Sequence, residues 1–176
     1  MFGKRSIFLV GPMGSGKSAV GKCLARLLST PFYDSDTEIE RRTGVDIPYI
    51  FEKEGEAGFR QREHEVLESL TAMEPIVLAT GGGAVILPEN RRLLAERGCV
   101  VYLETSVAQQ VERVRHGRGR PLLANVDPAV KLAQLMQERA PLYAEVADIV
   151  VPTDNRKVRA VADDILRSLR NAARSS

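Results

Sequence analysis

Ser6-Ile7-Phe8-Leu9-Val10-Gly11-Pro12-Met13-Gly14-Ser15-Gly16-Lys17-Ser18-Ala19-Val20 carries the reading from which the rest of the chain is interpreted. A short apolar run, Ser6–Val10, leads into Gly11–Ser18, a full match to G-x-x-x-x-G-K-[ST], and a helical pattern follows over Lys17–Leu28. A strand before the motif and a helix after it is the context in which the motif means phosphate binding. Glycines let backbone N–H groups turn inward around an anion, and the helix start adds its positive dipole end. Lys17 is placed to reach the β- and γ-phosphates of a nucleotide, and the Ser18 hydroxyl to ligate a divalent ion. Residues Gly14, Ser15, Gly16, Lys17, Ser18 and Ala19 form the expected cradle.

The same alternation continues outward. Phe32-Tyr33, Ile76–Ala79, Val100–Leu103 and Ile149–Val151 are short, β-rich and continuously apolar, as strands buried on both faces of a parallel sheet are. Helical patterns separate them: Asp36–Thr43, Ala57–Leu70, Pro88–Arg97, Val107–Arg115, Pro128–Tyr143 and about Lys157–Arg174. Thr30-Pro31 and Glu74-Pro75 disfavour helix before two of the strands, and Gly98 follows Arg97 as a helix-ending glycine would. Strands divided by helices predict an α/β sandwich.

Length and charge narrow the class. The 176 residues suit one domain, and 44% apolar with 27% charged residues is ordinary for a globular protein. A net charge of +2 argues against a surface devoted to nucleic acid. Cys23 and Cys99 lack metal-ligand spacing and read as two reduced thiols. The apolar run ending at Gly11 is too short for a signal peptide or membrane span, so a soluble cytoplasmic protein is expected.

Other clusters carry chemistry. No acid follows the Ile76–Ala79 strand and no Asn-Lys-x-Asp occurs, which counts against motor ATPases and GTPases. Asp34-Ser35-Asp36 instead follows the second strand at the sheet's carboxyl edge, beside the phosphate loop. Its two acids alternate in direction, so one can face a metal and the other a substrate hydroxyl. Taken alone, Asp36 would read as a helix N-cap. Gly81-Gly82-Gly83 allows a ligand to approach bare backbone. Arg60 alone would read as a solvated charge, and Arg139 as a cation near a helix C-terminus. Ile47, Ile50, Phe51 and Phe59 suit a small helical core or an apolar pocket wall. Arg113, Arg115, Arg118 and Arg120 cluster around two glycines, as in a mobile lid closing on polyphosphate. No aromatic residue interleaves there to stack bases.

Taken in order, the phosphate loop, Asp34-Ser35-Asp36, Gly58-Phe59-Arg60, Gly81-Gly82-Gly83, Arg120-Pro121-Leu122-Leu123 and Arg139-Ala140-Pro141-Leu142-Tyr143 closely resemble the motifs of the shikimate kinase family, over essentially the whole chain. The resemblance implies a three-layer P-loop kinase of the nucleoside-monophosphate-kinase type, with a five-stranded parallel sheet in the order 2-3-1-4-5. It implies a single domain over 1–176, with a substrate-binding helical part at about 35–62 and a lid at about 113–125. The activity implied is transfer of the γ-phosphoryl of ATP to the 3-hydroxyl of shikimate, with Mg2+, by a cytoplasmic monomer that binds neither nucleic acid nor membrane. Asp36, Arg60, Gly82 and Arg139 would hold shikimate, with Gly81 and Gly83 adjacent. Ser18 and Asp34 would hold Mg2+, Arg113 would pack on adenine, Arg156 would lie in the adenine loop, and Arg120 would be the lid arginine. Lys17, Asp36 and Arg120 would be the catalytic set. On the residues alone, a P-loop kinase for gluconate or a nucleoside monophosphate, or a nucleotide-dependent regulatory or RNA-binding module, stays open.

Overall fold

A computed structural model describes residues 5–115, 121–123 and 125–175. Five parallel strands form one sheet: β1 (Ser6–Val10), β2 (Phe32–Asp34), β3 (Val77–Ala79), β4 (Gly98–Glu104) and β5 (Ile149–Pro152), in the order β2-β3-β1-β4-β5. That is the order implied by the resemblance. The central strand β1 pairs with β3 on one side, Phe8 opposite Leu78, and with β4 on the other, Phe8 opposite Val100.

Alternation along β1 explains why its apolar run is unbroken. Phe8 and Val10 face one core cluster, with Ile39, Phe59, Leu67 and Tyr143, while Ile7 and Leu9 face the other, with Leu24, Val161 and Ile165. The first layer contains α2 (Ser35–Thr43), α3 (Ile47–Thr71), α4 (Pro88–Arg97) and α6 (Pro128–Val146); the second is built from α1 (Lys17–Leu28) and α7 (Val158–Arg174). Helix α5 (Val107–Val114) packs beside α6. Each fully buried leucine stabilises the fold by about 1.5–3 kcal/mol relative to an exposed one.

Helix limits follow local chemistry, with three departures from expectation. Asp34, not Asp36, caps α2: its Oδ1 accepts the Asp36 and Thr37 amides at 3.0 and 3.3 Å. The helix expected from Ala57 follows a break at Gly55, and a helical segment that was not expected precedes it from Ile47, where Asp46 accepts the Tyr49 amide and Pro48 occupies the first turn. Gly98 does not end α4 by turning left-handed. It is extended, opens β4, and leaves no room for a β-carbon, which would lie 2.5 Å from the Phe8 ring.

Candidate active site

β1 delivers Gly11 to a loop whose glycines take conformations costly to other residues. Gly16, the N-cap of α1, has φ 87°, and Gly14 has φ 80°, with the Gln110 Cα 3.2 Å from where its β-carbon would lie. Lys17 follows at the helix start and folds back over the loop. Its ammonium donates to the Gly11 and Pro12 carbonyls at 2.7 and 2.9 Å. The loop thus presents a cation and a helix N-terminus at one point, as expected for an anion cradle.

β2 ends beside that cradle, which brings the acid pair to it. Asp34 divides its oxygens: Oδ1 caps α2, while Oδ2 accepts the Ser18 hydroxyl at 2.5 Å. A hydroxyl and a carboxylate at the phosphate loop form a hard-oxygen donor set of the kind Mg2+ uses together with waters and substrate phosphates. Among the described residues no group of three or more His, Cys, Asp or Glu forms a protein cage for a metal. Ser18 and Asp34 fit an ion that completes its coordination with waters and substrate phosphates.

Asp36 turns the other way, into a second chamber. Met13, Ile47, Phe51, Phe59, Leu122 and the glycine turn Gly81–Gly83 line it, together with Asp36, Arg60, Glu63 and Arg139. Met13, Asp36, Gly81 and Gly82 also line the phosphate cradle, so the two spaces share a wall. Asp36 is pushed up to about 7, first by burial and then by the charges of Glu63 and Asp34, against the pull of Lys17 and Arg60. Its Oδ1 is buried and has no hydrogen-bond donor among the described residues.

The chamber arginines are not surface charges. Arg60 is 8% exposed, donates to Glu63 at 2.9 Å and Glu56 at 3.3 Å, and stands 5.1 Å from the Phe59 ring centre. Arg139 is 6% exposed and lies in the body of α6, which continues to Val146 past Pro141; a helix-end role does not apply to it. Glu63 is the residue that sequence reading missed. It is fully buried, its carboxyl is pushed up by burial, and its Oε2 has no donor among the described residues. The i,i+3 spacing from Arg60 was its available signal.

Two of the three glycines, Gly81 and Gly83, have a steric explanation. A β-carbon on Gly81 would lie 2.8 Å from Asp36 Oδ1 and 2.9 Å from Glu63 Oε2, and one on Gly83 would collide with the Arg60 guanidinium. Bare backbone is needed because the protein's own charged groups rest on it.

Arg113 lines the cradle and donates to the Gly14 and Thr153 carbonyls at 2.7 and 3.4 Å. The structure does not bring Arg156 to either cavity. It pairs with Asp164 at 2.6 Å and donates to the Pro152 and Ala160 carbonyls. Arg118 and Arg120 lie outside the described residues.

The arrangement places a carboxylate between an anion cradle and a small polar chamber with two buried arginines, a geometry for moving a charged group onto a hydroxyl. Residues 13–170 match the family model described as shikimate kinase. A shikimate kinase of Nitrosococcus oceani is 55% identical over 94% of this chain and 87% of its own length. One from Halorhodospira halophila is 57% identical over 93% of this chain and 92% of its own. A structure of shikimate kinase from Acinetobacter baumannii in complex with shikimate superposes with a TM-score of 0.94 at 50% identity, covering 96% of this chain and 94% of that one.

Proposed function

The chain belongs to the shikimate kinase family, and on that premise we propose that its two joined cavities are the active site, with nucleotide in the cradle and the acceptor in the chamber. Its activity is ATP-dependent phosphorylation of the 3-hydroxyl of shikimate, giving shikimate 3-phosphate and ADP, a step of aromatic amino-acid biosynthesis. The observation that carries the site assignment is the shared wall: Asp36 and Gly81-Gly82 border both spaces.

Phosphoryl transfer asks for positioning and charge neutralisation more than covalent chemistry. Gly14 to Ala19 hold the polyphosphate, and the Lys17 ammonium exchanges its loop carbonyls for phosphate oxygens. Ser18 and Asp34 would hold Mg2+, which would offset the charge of the phosphate oxygens. Arg60 and Arg139 grip the acceptor carboxylate, while Asp36 accepts the 3-hydroxyl proton and aims its oxygen at the γ-phosphorus. The Gly82 backbone completes the acceptor site, flanked by Gly81 and Gly83. Arg113 borders the adenine side, and Arg120 closes over the phosphates as part of a lid at about 113–125. Arg156 would have to leave Asp164 to reach the adenine loop. The helical part at about 35–62 carries the apolar acceptor wall of one domain over 1–176. No helix among the described residues is long and apolar enough to cross a membrane, and we place the activity in a cytoplasmic monomer.

An acceptor panel tests the site. Shikimate should support ADP release, and gluconate and nucleoside monophosphates should not. The methyl ester of shikimate leaves two buried guanidinium groups facing an uncharged group, a loss of about 2–5 kcal/mol. It should therefore be a very poor acceptor where shikimate saturates. An analogue without the 3-hydroxyl should bind and consume no ATP. An ester phosphorylated as efficiently as the acid would remove Arg60 and Arg139 from the site.

A further inference from the structure

The Gly81–Gly83 turn is held from both sides by hydroxyl groups that line neither the cradle nor the chamber. On the α2 side, the fully buried Ser35 accepts the Gly81 amide through Oγ at 3.0 Å. On the α6 side, the Tyr143 hydroxyl donates to the Gly82 carbonyl at 2.5 Å. The Tyr143 ring is 1% exposed, packs on Tyr102 with centres 5.1 Å apart, and has the Arg139 guanidinium against its hydroxyl.

Each hydroxyl sits on an element that also carries a chamber side chain. Ser35 stands between the two acids at the start of α2, so it ties the turn to the backbone that aims Asp36. Tyr143 lies one helical turn beyond Arg139, on the same face of α6. Among the described residues the Gly82 and Gly83 amides have no protein acceptor. Three successive glycines have the widest conformational freedom a chain can have, and an unpinned turn would pay for ordering when it met a ligand.

We infer that Ser35 and Tyr143 are positioning residues, which set the glycine-turn backbone in register with Asp36 and Arg139 so that all three meet one acceptor molecule. The inference rests on the chamber being the acceptor site. Neither residue touches the acceptor; both act through the turn.

Tyr143→Phe removes only the hydroxyl and keeps the ring packing, whereas Ser35→Ala deletes the acceptor of the Gly81 amide and Ser35→Thr keeps a hydroxyl there. Calorimetry gives the affinity for shikimate without nucleotide and, separately, for a non-hydrolysable ATP analogue. Tyr143→Phe and Ser35→Ala should each weaken shikimate binding about tenfold, the scale of one lost hydrogen bond, with nucleotide affinity unchanged and Ser35→Thr close to wild type. Val146→Ala, on the same helix but away from the turn, should lower the melting temperature and leave both affinities alone. Should Ser35→Ala fail to fold, Tyr143→Phe carries the test. Lowered melting temperatures with wild-type shikimate affinity would make the hydroxyls merely structural and overturn the inference. Parallel loss of shikimate and nucleotide affinity would do the same, because it marks general disorder. Failure of the site reading shows separately, as wild-type protein that does not bind shikimate, and it removes this inference as well.

Discussion

Asp36 combines two demands that oppose each other. To take a proton from a hydroxyl it must be ionised, yet burial and the charges of Glu63 and Asp34 push its carboxyl up to about 7. Its ordinary value, near 3.9 in an unfolded chain, lies below that. Folded protein therefore binds the extra proton between the two values, and the contribution of Asp36 to stability falls as pH rises through that window and is level above it. Binding has the opposite sign, because the ionised form is the acceptor. Without nucleotide or metal, shikimate affinity should fall about tenfold from pH 8 to pH 6, while the shikimate carboxylate stays ionised. Asp36→Asn should bind more weakly and without this dependence. Calorimetric titrations across the range decide it, and a flat wild-type profile would mean that Asp36 does not meet the hydroxyl.

Helix α3 shows how one glycine shapes a site wall. Gly55 has φ 72° and ψ −178°, a conformation essentially confined to glycine, and it turns the helix between Glu54 and Glu56. Ile47 and Phe51 come from the segment before the break, and Phe59, Arg60 and Glu63 from the segment after it. The turn is also why Glu54 and Arg62 form a two-pronged pair, both contacts 2.7 Å, although residues eight apart on a straight helix lie about 12 Å apart along the axis. Among the described residues nothing lies within 4 Å of the position a β-carbon would take, so the cost of Gly55→Ala is conformational rather than steric. It should destabilise the fold by about 1–3 kcal/mol in denaturant titrations. An unchanged midpoint would mean that α3 runs straight in solution.

Helices cover both faces of the sheet, and the two thiols report on one of them. Cys23 and Cys99 are each 6% exposed, in the cluster that joins the sheet to α1 and α7. Burial, with the Asp148 charge second, pushes the Cys99 thiol up to about 11. Since the thiolate is the reactive form, a disulfide reagent at pH 8 should leave both cysteines unmodified in folded protein and titrate both in denaturant. In partial denaturant the rate should follow the unfolded fraction. Rapid labelling of native protein would show that this layer opens without unfolding.

Much of the molecule was legible before any coordinates. Strand, phosphate loop and helix could be read at Ser6–Leu28 because period, glycine and proline act over a few residues. Asp36 and the glycine turn were found by residue type and position, Arg60 and Arg139 only through the resemblance, and all line one chamber. The strand order came only through resemblance, since local patterns do not say which strands pair. Other features were set by tertiary structure alone. Asp34 took the helix cap from Asp36, Glu63 became a buried partner of Arg60, Asp164 engaged Arg156, and Gly81 and Gly83 met the protein's own charged groups. The division has one physical cause: backbone preference is a property of neighbours along the chain. Burial, ion pairing and a carboxyl's proton affinity depend on groups that only folding brings together, such as Gly82 and Tyr143, 61 residues apart in the chain and joined by one hydrogen bond.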